Sequence, residues 1–352
     1  MIEKVQVMLT AKFACFFFFL ALILFGSFGV TNADCQWNQT NVVCTEKTSE
    51  DPLKKIPAPK TLDTIIVHNA KIDLTDDLFN NDQKLSSVSL LDLSGNKIQR
   101  IGRRGFDKTQ NVEFLYLSNN SIKQSQPDPF MSLGRLKRLE MNNALGGDFE
   151  ENEALLRNLF HSNNDFADLS EIQLNSNRIK SLHPKTFCGV KGLTRLELSQ
   201  NNLENLDFAR RCFKDLKGLF MAANNISTIP QDIWDFMPSL SSFDISNNPI
   251  HCDCAIVELL KADDVSFINQ GNTFCASPPE LKGKNVFELP NDFCKSSKSS
   301  KGYSFFNFLI LALIAAAILY LYRNYRQRMS SYYSKTVVGY QNIEPNVQPE
   351  FV

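Results

Sequence analysis

Nine cysteines and four histidines are the side chains of this 352-residue sequence best suited to covalent or metal chemistry, and their spacing selects among the possibilities. His68, His161, His183 and His251 stand far apart, and none sits in a nucleophile, metal or phosphate-loop pattern. No enzyme activity, cofactor or metal is therefore expected. The cysteines fall in groups instead: Cys35 near Cys44, Cys188 near Cys212, and Cys252, Cys254, Cys275 and Cys294 together. Cys15 lies in an apolar leader, and its loss leaves an even eight, which suits an oxidising compartment. That compartment and the Cys-x-Cys spacing argue against zinc. Asn38, Asn119 and Asn225 begin Asn-x-Ser/Thr sequons and are candidate glycosylation sites. Near the C-terminus, Tyr340 with Asn342 fits both a sorting signal and a phosphotyrosine site, and Val352 with its free carboxylate could add a strand to a PDZ domain. For both, an unstructured solvated tail is the plainer reading.

Two apolar runs bracket the groups that would carry this chemistry. Phe13 to Val30 follows Lys4 and Lys12 and precedes Thr31-Asn32-Ala33, so residues 1–33 are expected to be a signal peptide cut before Asp34. Phe305 to Tyr322 has one polar residue, Asn307, and at helical rise spans roughly 27 Å, the thickness of a bilayer's hydrocarbon core. Tyr303, Tyr320 and Tyr325 flank it as interfacial anchors would. The expectation is a single-pass type I protein of the plasma membrane: a linker over 295–304, a transmembrane helix over 305–322 and a disordered cytoplasmic tail over 323–352. Orientation rests on the leader, because Lys295, Lys298 and Lys301 nearly match Arg323, Arg326, Arg328 and Lys335. Residues beyond the span argue against a glycolipid anchor, and the tail has no room for a signalling domain. A net charge of −1 gives no reason to expect nucleic acid.

Between the two runs the chain repeats itself. The frame L-x-x-L-x-L-x-x-N-x-L begins at Val88, Val112, Leu169, Leu193, Leu216 and Leu240, and degenerate copies begin at Leu62 and Leu136, with Ala70 and Ala144 in place of the asparagine. One copy cannot bury its aliphatic residues alone, whereas stacked copies share a continuous core. The asparagine falls at the bend after each strand, where its amide can satisfy backbone groups the turn leaves unpaired. The alanine copies are expected to be locally looser. Phe106, Phe130, Phe187 and Trp234 each lie ten residues after their asparagine and should fill the convex side. Cys188 and Cys212 each lie eleven after theirs, which stacks them on neighbouring coils. Either a disulfide or two buried thiols satisfies that placement, with the bond favoured because no other partner is left.

The frame, with Phe or Trp at that offset, resembles the extracellular leucine-rich-repeat family over roughly residues 53 to 294. The resemblance implies an α/β solenoid, a curved horseshoe whose concave face is a parallel sheet. It also implies an N-terminal cap over 34–61 closed by Cys35 and Cys44, eight repeats over 62–250, and a cysteine-rich cap over 251–294. In that cap Cys252 would pair with Cys275 and Cys254 with Cys294. The N-terminal cap departs from the family's fuller form in having two cysteines instead of four.

Side chains alternate across a strand, so the residues between the leucines should form the concave surface. Ile66, Leu90, Phe114 and Tyr116 would make an apolar patch beside a charged band of Arg138, Glu140, Glu171, Arg195 and Glu197. An ordinary sheet surface with scattered apolar residues is the alternative. The acidic insertion from Asp148 to Glu153 is expected to lead into a short convex-side helix rather than a projecting binding loop. These features suggest cell-surface protein recognition, as an adhesion molecule or a ligand receptor or co-receptor, with a protein ligand outside and a possible cytoplasmic adaptor. The alternative is an accessory subunit that grips a receptor or channel through small residues of its transmembrane helix, Ala312 and Ala316 among them.

Overall fold

The computed structural model describes residues 29–30, 35–45, 52–56, 60–72, 74, 85–160, 166–209, 211–260, 264–290 and 302–338. They fall in two compact units that divide between Leu289 and Pro290.

In the first unit each frame delivers one short strand just after its first anchor. In chain order the strands of the main sheet are β1 (Gly29–Val30), β2 (Gln36–Trp37), β3 (Asn41–Cys44), β4 (Thr64–Val67), β5 (Leu90–Asp92), β6 (Phe114–Tyr116), β7 (Arg138–Glu140), β8 (Glu171–Gln173), β9 (Arg195–Glu197), β10 (Gly218–Phe220), β11 (Ser242–Asp244) and β12 (Ser266–Phe267). They lie side by side in that same order. The first two pairings are antiparallel, and from β3 onward all neighbours run parallel. Parallel pairing follows from the repeat, because each coil must return over the core before it adds the next strand. The frame leucines point inward: Leu91, Leu93, Leu115, Leu117, Leu174 and Leu198 are buried completely. β3 and β12 lie outside the eight frames and extend the sheet by one parallel strand at each end.

On the far side of the core, Phe106 packs on Phe130 at 5.7 Å between ring centroids and Phe187 on Phe213 at 6.3 Å, all four buried. Trp234 is only half-buried and meets Phe243 and Phe267 edge-on. The insertion forms a helix, Phe149–Phe160, that buries Leu155, Leu156, Leu159 and Phe160. Its start is a reciprocal cap: Glu151 N–H donates to the Asp148 carboxylate at 2.9 Å, and Asp148 N–H donates to the Glu151 carboxylate at 3.1 Å. Its end places Phe160 against Phe187 at 5.1 Å, so the extra residues join the aromatic column.

The second unit's described residues form one helix, Gly302–Val338. Within it Asn307–Ser331 is long and apolar enough to cross a membrane, and none of that window is buried.

Gly29 and Val30, which lie before the expected cut at Asp34, pair antiparallel with Trp37 and Gln36, because the open edge of β2 offers unpaired backbone groups to an extended neighbour. The stretch after Tyr322, expected to be disordered, continues the helix to Val338. Residues 323–338 contain neither proline nor glycine, and an established helix propagates through such a stretch at little cost.

Candidate protein-interaction face

Strand register sets the outward side chains of the sheet in two rows. One runs Thr64, Leu90, Phe114, Arg138, Glu171, Arg195, and the other Ile66, Asp92, Tyr116, Glu140, Gln173, Glu197. All are half-buried, with fully buried leucines and isoleucines between them. Leu90, Phe114 and Tyr116 are neighbours on β5 and β6, and Ile66 sits one strand further out on β4.

The charged band is not a row of free charges. The Arg138 guanidinium meets Glu171 at 2.6 Å, while Arg195 meets Glu197 at 2.6 Å and Glu171 at 3.6 Å. Burial lowers the Arg138 pKa, but the hydrogen bonds it donates to Glu171 and Tyr116, with the charge of Glu171, outweigh it and hold the guanidinium above its ordinary range. These pairs are partly exposed, so each stabilises the fold by no more than about 1 kcal/mol.

Behind the strands the asparagines form a second ladder. Asn120 Nδ2 donates to the carbonyls of Leu93 and Leu117 (3.1 and 2.7 Å), and its Oδ1 accepts from Asn96 N–H and Ile98 N–H (3.2 and 2.9 Å). Asn201 and Asn248 also span their own coil and the one before.

This reach alters the reading of the two alanine copies. Ala70 N–H donates to Asn96 Oδ1, and the amides of Ala144 and Leu145 donate to Asn177 Oδ1, so the following coil supplies the acceptors. Where Ala144 leaves Ile122 N–H without its asparagine, the Ala144 carbonyl accepts it at 2.8 Å. The expected loosening therefore does not appear as unpaired amides.

A profile of the leucine rich repeat family matches residues 65–144 and 167–221 of this chain. The repeat region is a leucine-rich-repeat domain. Nephrocan of Mus musculus is 29% identical over 212 residues, which cover 58% of this chain and 37% of that protein. CD180 antigen of Homo sapiens is 25% identical over 187 residues, 51% of this chain and 27% of that protein. Leucine-rich repeat-containing protein 3 of Danio rerio is 24% identical over 166 residues, 45% of this chain and 62% of that protein. The chain thus spans less than two thirds of each of these relatives. Among solved structures, that of human 5T4 (Wnt-activated inhibitory factor 1, trophoblast glycoprotein) superposes with a TM-score of 0.63 at 21% identity, over 76% of this chain and 99% of that one. That likeness establishes the fold.

On the leucine-rich-repeat domain, two features of the concave face escape the frame. His68 Nε2 lies 2.9 Å from Asp92 Oδ2. The hydrogen bond to Asp92 raises the His68 pKa against the opposing effect of burial, and Asp92, raised by burial, is brought below its usual value by hydrogen bonds from His68 and Ser94. The two residues are 24 positions apart, one coil, which is the signal that could have found them. Gly218 is the other feature: a Cβ there would lie 2.9 Å from the Phe220 ring, so its bareness lets that ring lie over β10. The Arg195 guanidinium covers the ring at 4.1 Å. Asn152 was also missed, since it belongs to the insertion and not to the frame. Fully buried, it donates to the carbonyls of Asn177 and Gly147 and accepts from Gly147 N–H.

The cysteine positions differ in what surrounds them. Cys35 is bonded to Cys44, Cys188 to Cys212 and Cys252 to Cys275, with Cα atoms 4.2, 4.6 and 5.5 Å apart. Cys254 is half-buried and has no disulfide partner among the described residues, and Cys294 lies outside them. Asn119 and Asn225 are exposed at turns beyond the strands, while Asn38 is half-buried. Asn38 accepts from Thr40 and Asn41 N–H, and Asn119 from Asn143 Nδ2, both through Oδ1 and not through the nitrogen that would carry a glycan. Tyr340, Asn342 and Val352 lie outside the described residues.

Proposed function

We propose that this chain is a non-catalytic protein-recognition molecule of the cell surface, its repeats outside the cell and its partner held on the concave face. The observation that carries the reading is the parallel sheet face on which Leu90, Phe114 and Tyr116 stand as a half-buried apolar group beside polar side chains already fixed by one another. Such an apolar centre with an ordered polar surround is how protein interfaces concentrate binding energy. Cell-surface display is supported by the leader pattern, the paired cysteines and the Asn307–Ser331 segment. The same route makes Asn38, Asn119 and Asn225 glycosylation sites in this reading, with Cys254 bonded to Cys294, and the role is adhesion or reception of a protein ligand.

Proximity labelling on living cells tests it. Proteins labelled around the parent chain should disappear when Phe114 and Tyr116 are both changed to serine, with surface display unchanged. An unchanged set of neighbours would defeat the concave-face reading. Replacing Asn307–Ser331 with an unrelated apolar helix separates the second reading, since an accessory subunit held through its helix would lose its partner in that variant alone.

A further inference from the structure

We infer that the partner presents lysine or arginine side chains beside an aliphatic or aromatic anchor, an inference that rests on the concave-face reading above. The two outward rows of the sheet carry five carboxylates, Asp92, Glu140, Glu171, Glu197 and Asp244, against two guanidiniums, Arg138 and Arg195. Both cations are tied within the face, Arg138 to Glu171 and Arg195 to Glu197, so neither offers its charge to an incoming group. The residues just before the strands do not offset the excess, because Asp63 and Glu113 balance Lys137 and Lys217. With a net charge of −1 over all 352 residues, the excess is local to this face and not a feature of composition.

Within the excess, Asp244 is buried and takes Asn269 Nδ2 and Ser246 N–H, and Asp92 takes His68. Glu140 is different. It is half-buried, accepts one hydroxyl hydrogen bond from Ser118 at 3.0 Å, and faces Tyr116 and Gln173 across its two neighbouring strands. The two cations just before it in the chain are engaged elsewhere, Lys137 with Glu113 and Arg138 with Glu171. A carboxylate without a basic partner among the described residues thus lies one strand spacing, about 4.8 Å, from the aromatic centre of the face. An apolar anchor seated on Leu90, Phe114 and Tyr116 brings an adjoining lysine or arginine to Glu140, and the excess negative charge steers such a partner in and repels acidic ones.

The test pans a random 15-residue peptide library on phage against the full chain in nanodiscs of neutral lipid, in parallel with three variants: Glu140→Lys, Phe114→Ser with Tyr116→Ser, and Glu150→Lys. Glu150 is exposed on the insertion helix, so its variant controls for charge alone. Peptides retained by the parent should carry Lys and Arg over Asp and Glu by about threefold next to Leu, Phe or Trp, and Glu140→Lys should lower their capture about tenfold while Glu150→Lys leaves it unchanged. An acidic or charge-balanced selection, or equal capture by Glu140→Lys, overturns the inference and leaves the concave-face reading standing if the serine double variant still loses the peptides. Capture that survives the serine double variant, or no peptide enriched on the parent, overturns both. Normal surface display of each variant separates loss of binding from loss of folding.

Discussion

At the scale of single residues, the asparagine ladder is the most concentrated source of stability, because each amide serves backbone groups of two coils. Asn177 donates to the Met141 carbonyl and accepts the amides of Ala144 and Leu145, in a coil without an asparagine of its own. Asn177→Ala strands those buried groups and is expected to cost about 2–4 kcal/mol, read as a lower urea midpoint. Asn224→Ala should cost less, since Asn224 is only half-buried. The His68–Asp92 pair gives a pH signature. His68 is raised from 6.5, so its contribution is complete below that pH and is lost as pH rises through the folded value. Asp92 is lowered from 3.8, so its contribution is present above that pH and is lost as pH falls through the folded value. The pair therefore stabilises most between about pH 4 and 6.5. With both side chains partly exposed the effect is about 0.5 kcal/mol, and it should vanish from the urea midpoint's pH dependence in Asp92→Asn.

At the scale of elements, the insertion helix replaces the shorter return path of an ordinary coil and must therefore fill the core itself. Leu156, Leu159 and Phe160 do so, all completely buried. Leu156→Ala is expected to lower stability by about 2–4 kcal/mol, the cost of a large-to-small change in a packed core, measured by urea unfolding. A charge change at exposed Glu150 should cost under about 0.5 kcal/mol in the same assay. The neighbouring coils are also joined covalently. Cys188 and Cys212 are 24 residues apart, one full coil, and changing both to serine removes a cross-link worth about 3 kcal/mol of denatured-state entropy.

At the scale of the whole molecule, a solenoid is a chain of neighbour contacts, so its ends decide whether it frays. β12, Ser266–Phe267, covers the last frame's strand, and the Cys252–Cys275 bond ties the segment that follows Ile250 to the strand Cys275–Ser277. Changing Cys252 and Cys275 to serine should raise amide exchange first in β11 and β12 and leave β5 to β7 protected, a gradient that uniform destabilisation would not produce.

Periodicity made the solenoid legible. Aliphatic residues such as Leu93, Leu117 and Leu198 recur at coil spacing because only a shared interior can bury them, and that demand is written into composition at fixed intervals. The apolar character of Phe114 and Tyr116 was equally open to reading, since alternation along a strand assigns each residue a side. What side chains do to one another across strands was decided by three-dimensional placement alone. Glu171 between two arginines, Phe220 lying over bare Gly218, and Asn152 reaching from an insertion to the Asn177 carbonyl all depend on distances between coils. Local patterns specify which way a residue points; pairing energies depend on a few ångströms that only the assembled stack sets.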